Sequence, residues 1–196
     1  MKPSNQSHQT ILVVGGTGKT GKRVVAQLKS IGHEVRVGSR SAIPSFDWAN
    51  EKSWDACLTG VTSAYITYSP DLAMPGATDA IQAFVSLARR RGVKRLVLLS
   101  GRGEAEAQAC EDIVQESGLE WTVVRASWFN QNFSEGAFID MVLNGAITLP
   151  AGDQVEPFVD VDDIAEVLNG GTVAGKSAQI GKQIVPLSTT IGDYNK

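Results

Sequence analysis

Cysteine and histidine are nearly missing from this chain, with two of each in 196 residues. Cys57 and Cys110 stand alone, so no disulfide framework is indicated, and a reducing compartment, the cytoplasm, is the expected location. His8 and His33 lie in the polar N-terminal stretch and beside a turn. No metal cluster of familiar His/Cys spacing can be assembled from them. Long apolar runs are lacking too: nothing approaches the roughly 20 residues that cross a bilayer. The start, MKPSNQSHQT, has no apolar core, which argues against a secretory signal and for a disordered tail over residues 1–9. Nor is there a marked excess of charge, the formal net charge being −3. The richest basic cluster, RRRGVKR at 89–95, reads as a helix C-terminus, where cations meet the negative end of the dipole, before it reads as a nucleic-acid patch. The expected partner is therefore a small-molecule substrate, with no nucleic acid and no membrane. The sequence does not fix an oligomeric state.

What is present is a regular alternation of apolar runs and amphipathic stretches. TILVV (10–14) is short, β-branched and apolar on both sides, as buried parallel strands are. KTGKRVVAQLKSIG (19–32) then places Val24, Val25, Leu28 and Ile31 on one helical face and ends at Gly32. Strands are predicted at 33–40, 63–68, 95–101 and 120–127. Helices are predicted at 78–91, with core stripe Ile81, Phe84, Val85 and Ala88, and at 104–117 and 132–144. A short helix falls within 41–58. The β-α-β-α rhythm with short connections implies one α/β domain, a Rossmann-like doubly wound parallel sheet with helices on both faces. QIVPL (183–187) is a further strand that Pro186 directs to a sheet edge.

The stretch VVGGTGKTGKRVV (13–25) decides the ligand class. A nucleotide-triphosphate P-loop needs G-x-x-x-x-G-K-[ST], and its first glycine would fall at Val13, inside the strand. Gly16-x-Gly18-x-x-Gly21 and Gly15-x-x-Gly18-x-x-Gly21 instead match dinucleotide-binding spacings, between a strand and a helix as those motifs require. The glycines allow a tight turn and close approach to a pyrophosphate at the positive end of the helix. The second strand ends Gly38-Ser39-Arg40, without the carboxylate that holds the ribose hydroxyls of NAD. A guanidinium suits a 2′-phosphate, so NADP(H) is expected over NAD(H).

These residues, with FDWAN, RGVKRLVLLSGRGE, SGLEWTVVRASWFNQNF and EPFVDVDDIAEV following in order, resemble the NmrA-like group of atypical short-chain dehydrogenases/reductases. Within it they look most like the agroclavine/festuclavine dehydrogenases of ergot-alkaloid biosynthesis. The resemblance covers about residues 10–167 and implies an NADP-binding Rossmann domain over that span. Carried over by position, it implies that Gly16, Thr17, Gly18, Lys19 and Thr20 hold the pyrophosphate, in the cofactor-binding turn that the glycine spacing completes with Gly15 and with Gly21, which lets the helix pack on the strand. Ser39 and Arg40 would take the 2′-phosphate, and Asp47 and Trp48 would lie near the adenine. Thr67 and Tyr68 would line the cofactor path, with Ser100 and Gly101 near the nicotinamide and Ser100 the catalytic candidate. Trp128, Phe129 and Asn132 would face the substrate. The aromatics could equally be core, and the amide cluster Asn130, Gln131 and Asn132 could cap the next helix. Asp160, Asp162 and Asp163 resemble a paired-carboxylate site, but capping of an apolar helix explains them as well.

Two features depart from the family pattern. Many short-chain dehydrogenases use a Tyr-x-x-x-Lys pair to move a proton. The corresponding helix here, GEAEAQACEDIVQESG, has neither residue, and its acids Glu104, Glu106, Glu111, Asp112 and Glu116 read as a solvated face. The expected function is hydride transfer from NADP(H) to a small apolar acceptor (quinone, iminium or enone). The alternative is a non-catalytic NADP(H)-binding redox sensor. The chain also leaves the pattern near Leu168, so residues 168–196 read as the remnant of a C-terminal substrate lobe or an irregular tail, in a truncated or altered product.

Overall fold

Thr10–Val14 is apolar on both sides because both sides are covered. In the computed structural model this segment is strand β1, central in the sheet, with Leu12, Val13 and Val14 essentially without exposure. The structure describes residues 9–136, 138–148, 158–168, 172–173, 176–177 and 183–187. The expected N-terminal tail, apart from Gln9, and most of 168–196 lie outside them.

The strands that follow are β2 (Glu34–Gly38), β3 (Val61–Ile66), β4 (Arg95–Gly101) and β5 (Glu120–Ala126). Two-residue strands β6 (Trp128–Phe129) and β7 (Phe158–Val159) pair in parallel, and β8 (Thr172–Val173) pairs antiparallel with β9 (Lys176–Ser177). Strand β10 is Gln183–Leu187. The main sheet is parallel in the order β10-β5-β4-β3-β1-β2. The expected doubly wound sheet is therefore present, and QIVPL is its edge strand, with Pro186 opposite Arg125. The chain runs from β1 to β2 on one side and from β3 outward on the other. That reversal puts a crevice at the carboxyl ends of β1 and β3, where open α/β sheets bind ligands.

Helices α1 (Lys19–Ser30), α2 (Trp54–Leu58), α3 (Ala77–Arg90), α4 (Ala105–Gln115), α5 (Ile139–Leu143) and α6 (Val161–Leu168) complete the fold. On one face, α1 and α6 cover Val13, Tyr65 and Val124. On the other, α3 and α4 cover Leu12, Leu96 and Leu98, and the stripe Ile81, Phe84, Val85 and Ala88 is buried as predicted. Truncating Phe84 to Ala would cost about 3–5 kcal/mol, as large core deletions do. The α1 stripe is shorter than expected: Ile31 follows the last turn and is 59% exposed.

The basic cluster is absorbed by local structure. Arg89 and Arg90 occupy the last turn of α3, Arg91 pairs with Asp55, and Arg95 pairs with Glu120. The predicted helix over 132–144 is replaced by a 3-10 turn, Asn130–Asn132, and the shorter α5. Gly136 lies at the break. A side chain there would meet the Lys19 ammonium, because the segment is folded against α1, with Asn132 on Lys19 and Glu135 on Lys22 and Arg23. Among the described residues no helix is long and apolar enough to cross a membrane, and no group of three or more His, Cys, Asp or Glu could hold a metal.

Candidate functional site

The turn after β1 is made by glycines because nothing else fits. Gly15 has φ +70°, and a Cβ on it would strike Thr67 Oγ1. A Cβ on Gly21 would collide with the Gly15 carbonyl oxygen, so α1 could not come this close to the strand end. Gly15 N and Gly16 N donate to Gly38 O at 2.8 and 3.2 Å, and Gly18 N donates to Gly15 O at 2.8 Å. Thr67 holds the far wall by donating from Oγ1 to Val14 O at 3.0 Å. At the start of α1, no side chain caps the helix and no acidic residue stands in the first turn. Its N–H groups and the positive end of its dipole therefore face an open space.

That space is a cleft of about 890 Å³ at the carboxyl ends of the strands. Its wall brings together sixteen of the eighteen residues singled out in the sequence: Gly15, Thr17, Gly18, Lys19, Thr20, Ser39, Arg40, Asp47, Trp48, Thr67, Tyr68, Ser100, Gly101, Trp128, Phe129 and Asn132. Gly16 and Gly21 stand behind it as packing positions. A Cβ on Gly16 would lie 2.9 Å from Val13 O and 3.0 Å from Val37 Cγ1.

Individual side chains are held by specific partners. Arg40 is exposed at the end of β2 and, among the described residues, its guanidinium engages no hydrogen bond or ion pair. Ser39 lies beside it, 3.3 Å Oγ to Oγ from Ser41. Asp47 and Trp48 are fixed by an aromatic nest of Phe46, Trp54, Tyr68 and Phe84. Trp54 Nε1 donates to Asp47 O at 2.7 Å, and Trp48 Nε1 to Thr67 O at 3.0 Å. Lys19 Nζ donates to Asn132 Oδ1 at 3.0 Å, tying the glycine turn to the 130s segment. Trp128 is 44% exposed and stacks on Phe138 with ring centroids 5.7 Å apart.

Of the carboxylates near 160, Asp160 takes the capping role, while Asp162 and Asp163 stand in the first turn of α6. Asp160 Oδ1 accepts from Asp162 N and from Gln131 Nε2, each at 2.8 Å, while Gln131 Oε1 accepts from Val161 N at 3.0 Å. Gln131 thus locks the start of α6, and of the amide cluster only Asn132 reaches the cleft.

Two functional candidates were hidden in the acidic helix. Glu111, expected on a solvated face, has no exposure. It accepts from Ser100 Oγ at 2.6 Å and from Arg125 Nε and Nη2. The signal was legible: Ala107, Cys110, Glu111 and Val114 fall on one helical stripe, and Arg125 interrupts the apolar run of β5. Glu104 also lies in the cleft, its carboxylate over Gly101 so closely that a Cβ on Gly101 would collide with it. Partial burial, then the charges of Asp71 and Glu106, hold its pKa above the ordinary glutamate value. Of the tyrosines, Tyr68 lines the cleft, whereas Tyr65 is buried and desolvation holds its hydroxyl far above its usual range.

Comparison with known proteins gives concordant results. A family model described as NAD(P)H-binding matches residues 15–169. Festuclavine synthase II of Penicillium roqueforti is 34% identical over 183 residues, covering 81% of this chain and 61% of that one. This chain thus spans about 61% of the length of that curated relative. The Citrobacter sp. triphenylmethane reductase complexed with NADP(H) superposes with TM-score 0.69 at 18% identity, over 93% of this chain and 70% of that one. A mutant NmrA structure gives TM-score 0.69 at 22% identity, over 93% and 67%.

Proposed function

The chain belongs to the NAD(P)H-binding family, as an NmrA-like atypical short-chain dehydrogenase/reductase, and from that premise we propose that it is an oxidoreductase that uses NADP(H) to reduce a small apolar acceptor. The observation that carries this is the glycine cradle under the uncapped, acid-free start of α1. The cradle is open toward a cleft whose rim carries Arg40, unpartnered among the described residues. Such a helix start favours a pyrophosphate, and a free guanidinium favours a further phosphate at two parallel bonds.

In this reading Gly15 to Gly21 hold the pyrophosphate, with Lys19 adding charge. Arg40 and Ser39 bind the 2′-phosphate, and the rigid Asp47-Trp48 edge receives the adenine. Thr67 and Tyr68 line the middle of the path. Ser100 and Gly101 stand where the nicotinamide ends, and Trp128, Phe129 and Asn132 bound the acceptor. When bound, the reduced cofactor supplies the hydride, the chemistry this chain's side chains cannot supply. The Trp128 and Phe138 rings offer an apolar wall that excludes water from a flat acceptor such as a quinone, an iminium or an enone. Asn132 has its amide oxygen taken by Lys19, so its N–H₂ is what it offers the cleft. Glu104 provides a carboxyl that keeps its proton to higher pH than an ordinary glutamate, a proton source in place of the absent Tyr-x-x-x-Lys pair.

The test is NADPH oxidation, followed by absorbance, against a panel of quinones, cyclic iminium ions and enones. Turnover with at least one class is expected. Saturable NADPH binding with no turnover on any acceptor would overturn the catalytic reading in favour of a redox sensor.

A further inference from the structure

Ser100 has a hydroxyl whose proton is already committed. It lies on β4 at the cleft, is 4% exposed, and donates to Glu111 Oε1 at 2.6 Å. Glu111 is wholly buried on α4, and both its oxygens accept from Arg125. Arg125 Nε reaches Oε1 and Oε2 at 3.0 Å each, and Nη2 reaches Oε2 at 2.5 Å. A buried carboxylate persists only when it is saturated in this way. With both oxygens acting as acceptors, the hydrogen of the Ser100 bond points toward α4 and away from the cleft. What Ser100 can offer a ligand is lone pairs.

We propose that Ser100 acts in the cleft as a hydrogen-bond acceptor, held in that polarity by Glu111 and Arg125 as positioning residues, and that it selects a ligand group bearing N–H over one presenting only oxygen acceptors. This rests on the reading of the cleft as an NADP(H) site. The N–H has two possible sources, the carboxamide of the nicotinamide or a nitrogen of the acceptor. A bare carboxylate or ether oxygen at the same point would face a second acceptor, a mismatch that a buried polar site rejects. The arrangement also accounts for a serine at this strand end without a neighbouring tyrosine: its role is recognition and not proton delivery.

The experiment reads binding in two pairs of probes. The first compares NADP⁺ with its nicotinic-acid analogue, which carries a carboxylate in place of the carboxamide. The second, in the NADP⁺ complex, compares tetrahydroisoquinoline with isochroman, which has a ring oxygen in place of the N–H. Variants are Ser100→Ala, Glu111→Gln and the double variant. Glu111→Gln keeps the size of the side chain, leaves its oxygen to Arg125, and turns an amide N–H toward Ser100, which reverses the hydroxyl. The expected result is a preference for the N–H partner in at least one pair. Each single variant should narrow it by about tenfold, the worth of one hydrogen bond in such a site, and Glu111→Gln should add nothing once Ser100 is Ala. The pair in which the preference narrows identifies the source. An unchanged preference in Ser100→Ala for both pairs overturns the proposal, and this holds even if Glu111→Gln fails to fold. So does an equal effect of Glu111→Gln with and without Ser100. Failure of the unmodified protein to bind either dinucleotide instead overturns the cleft reading itself.

Discussion

In the proposed reaction, Glu104 is the side chain that carries the greatest weight. Its carboxyl is partly desolvated and faces the negative charges of Asp71 and Glu106, so its proton leaves at higher pH than in an ordinary glutamate. If it supplies the proton that follows hydride transfer, the rate must fall as pH rises through its pKa, since the deprotonated form has nothing to give. Glu104→Gln is expected to lower kcat by about 100-fold or more and to flatten that limb of the profile. An unchanged pH profile in the variant would remove Glu104 from the mechanism. At this scale the sequence was partly legible. Glycine spacing and Arg40 pointed to their places because backbone geometry and charge act locally. Glu104 and Glu111 were lost in an acidic helix because their roles depend on Gly101, Ser100 and Arg125, residues brought near by the sheet.

Among the elements, the join between α1 and the 130s segment departs most from expectation. A continuous helix over 132–144 satisfied the apolar periodicity, but the segment instead folds back so that Glu135 meets Lys22 Nζ at 2.5 Å and Arg23 Nη2 at 2.6 Å. Arg23 Nε reaches on to Asp162 Oδ1 at 2.7 Å, at the start of α6. Hydrogen bonds from Arg23 and Lys22 are the main cause that lowers the Glu135 pKa from 4.5 to about 2. A depressed carboxylate stabilises the fold at pH above its unfolded value, and that stabilisation is lost as pH falls from about 4.5 toward 2. Thermal melts should therefore show Glu135→Gln below the parent protein at neutral pH and converging with it in acid. Parallel curves across that window would mean the network adds no stability of its own. The strands of the main sheet and helices α1, α3 and α4 were legible to within a few residues, since burial against neighbouring layers imposes an apolar pattern, whereas the two-residue strands β6 to β9 are too short to show one. Ion pairs across a loop leave no such period.

For the whole molecule, the decisive feature is the reversal of strand order at β1 and β3. It gathers the glycine turn, Arg40, Thr67 and Ser100 from separate stretches of sequence around one cleft. The β-α rhythm predicted a parallel sheet, and the strand order then fixes where a ligand lies. Cofactor choice tests this arrangement most directly. NADPH and NADH are titrated into the protein and into Arg40→Asp, with binding read by calorimetry. Saturable binding at one site is expected, tighter for NADPH in the parent protein. Loss of the 2′-phosphate partner, with a carboxylate in its place, should cost about tenfold or more in NADPH affinity, and should leave NADH unchanged or bound more tightly, since a carboxylate here suits the ribose hydroxyls. Equal affinity for the two dinucleotides, unaltered by Arg40→Asp, would contradict the assignment of Arg40, and no binding of either would contradict the account as a whole.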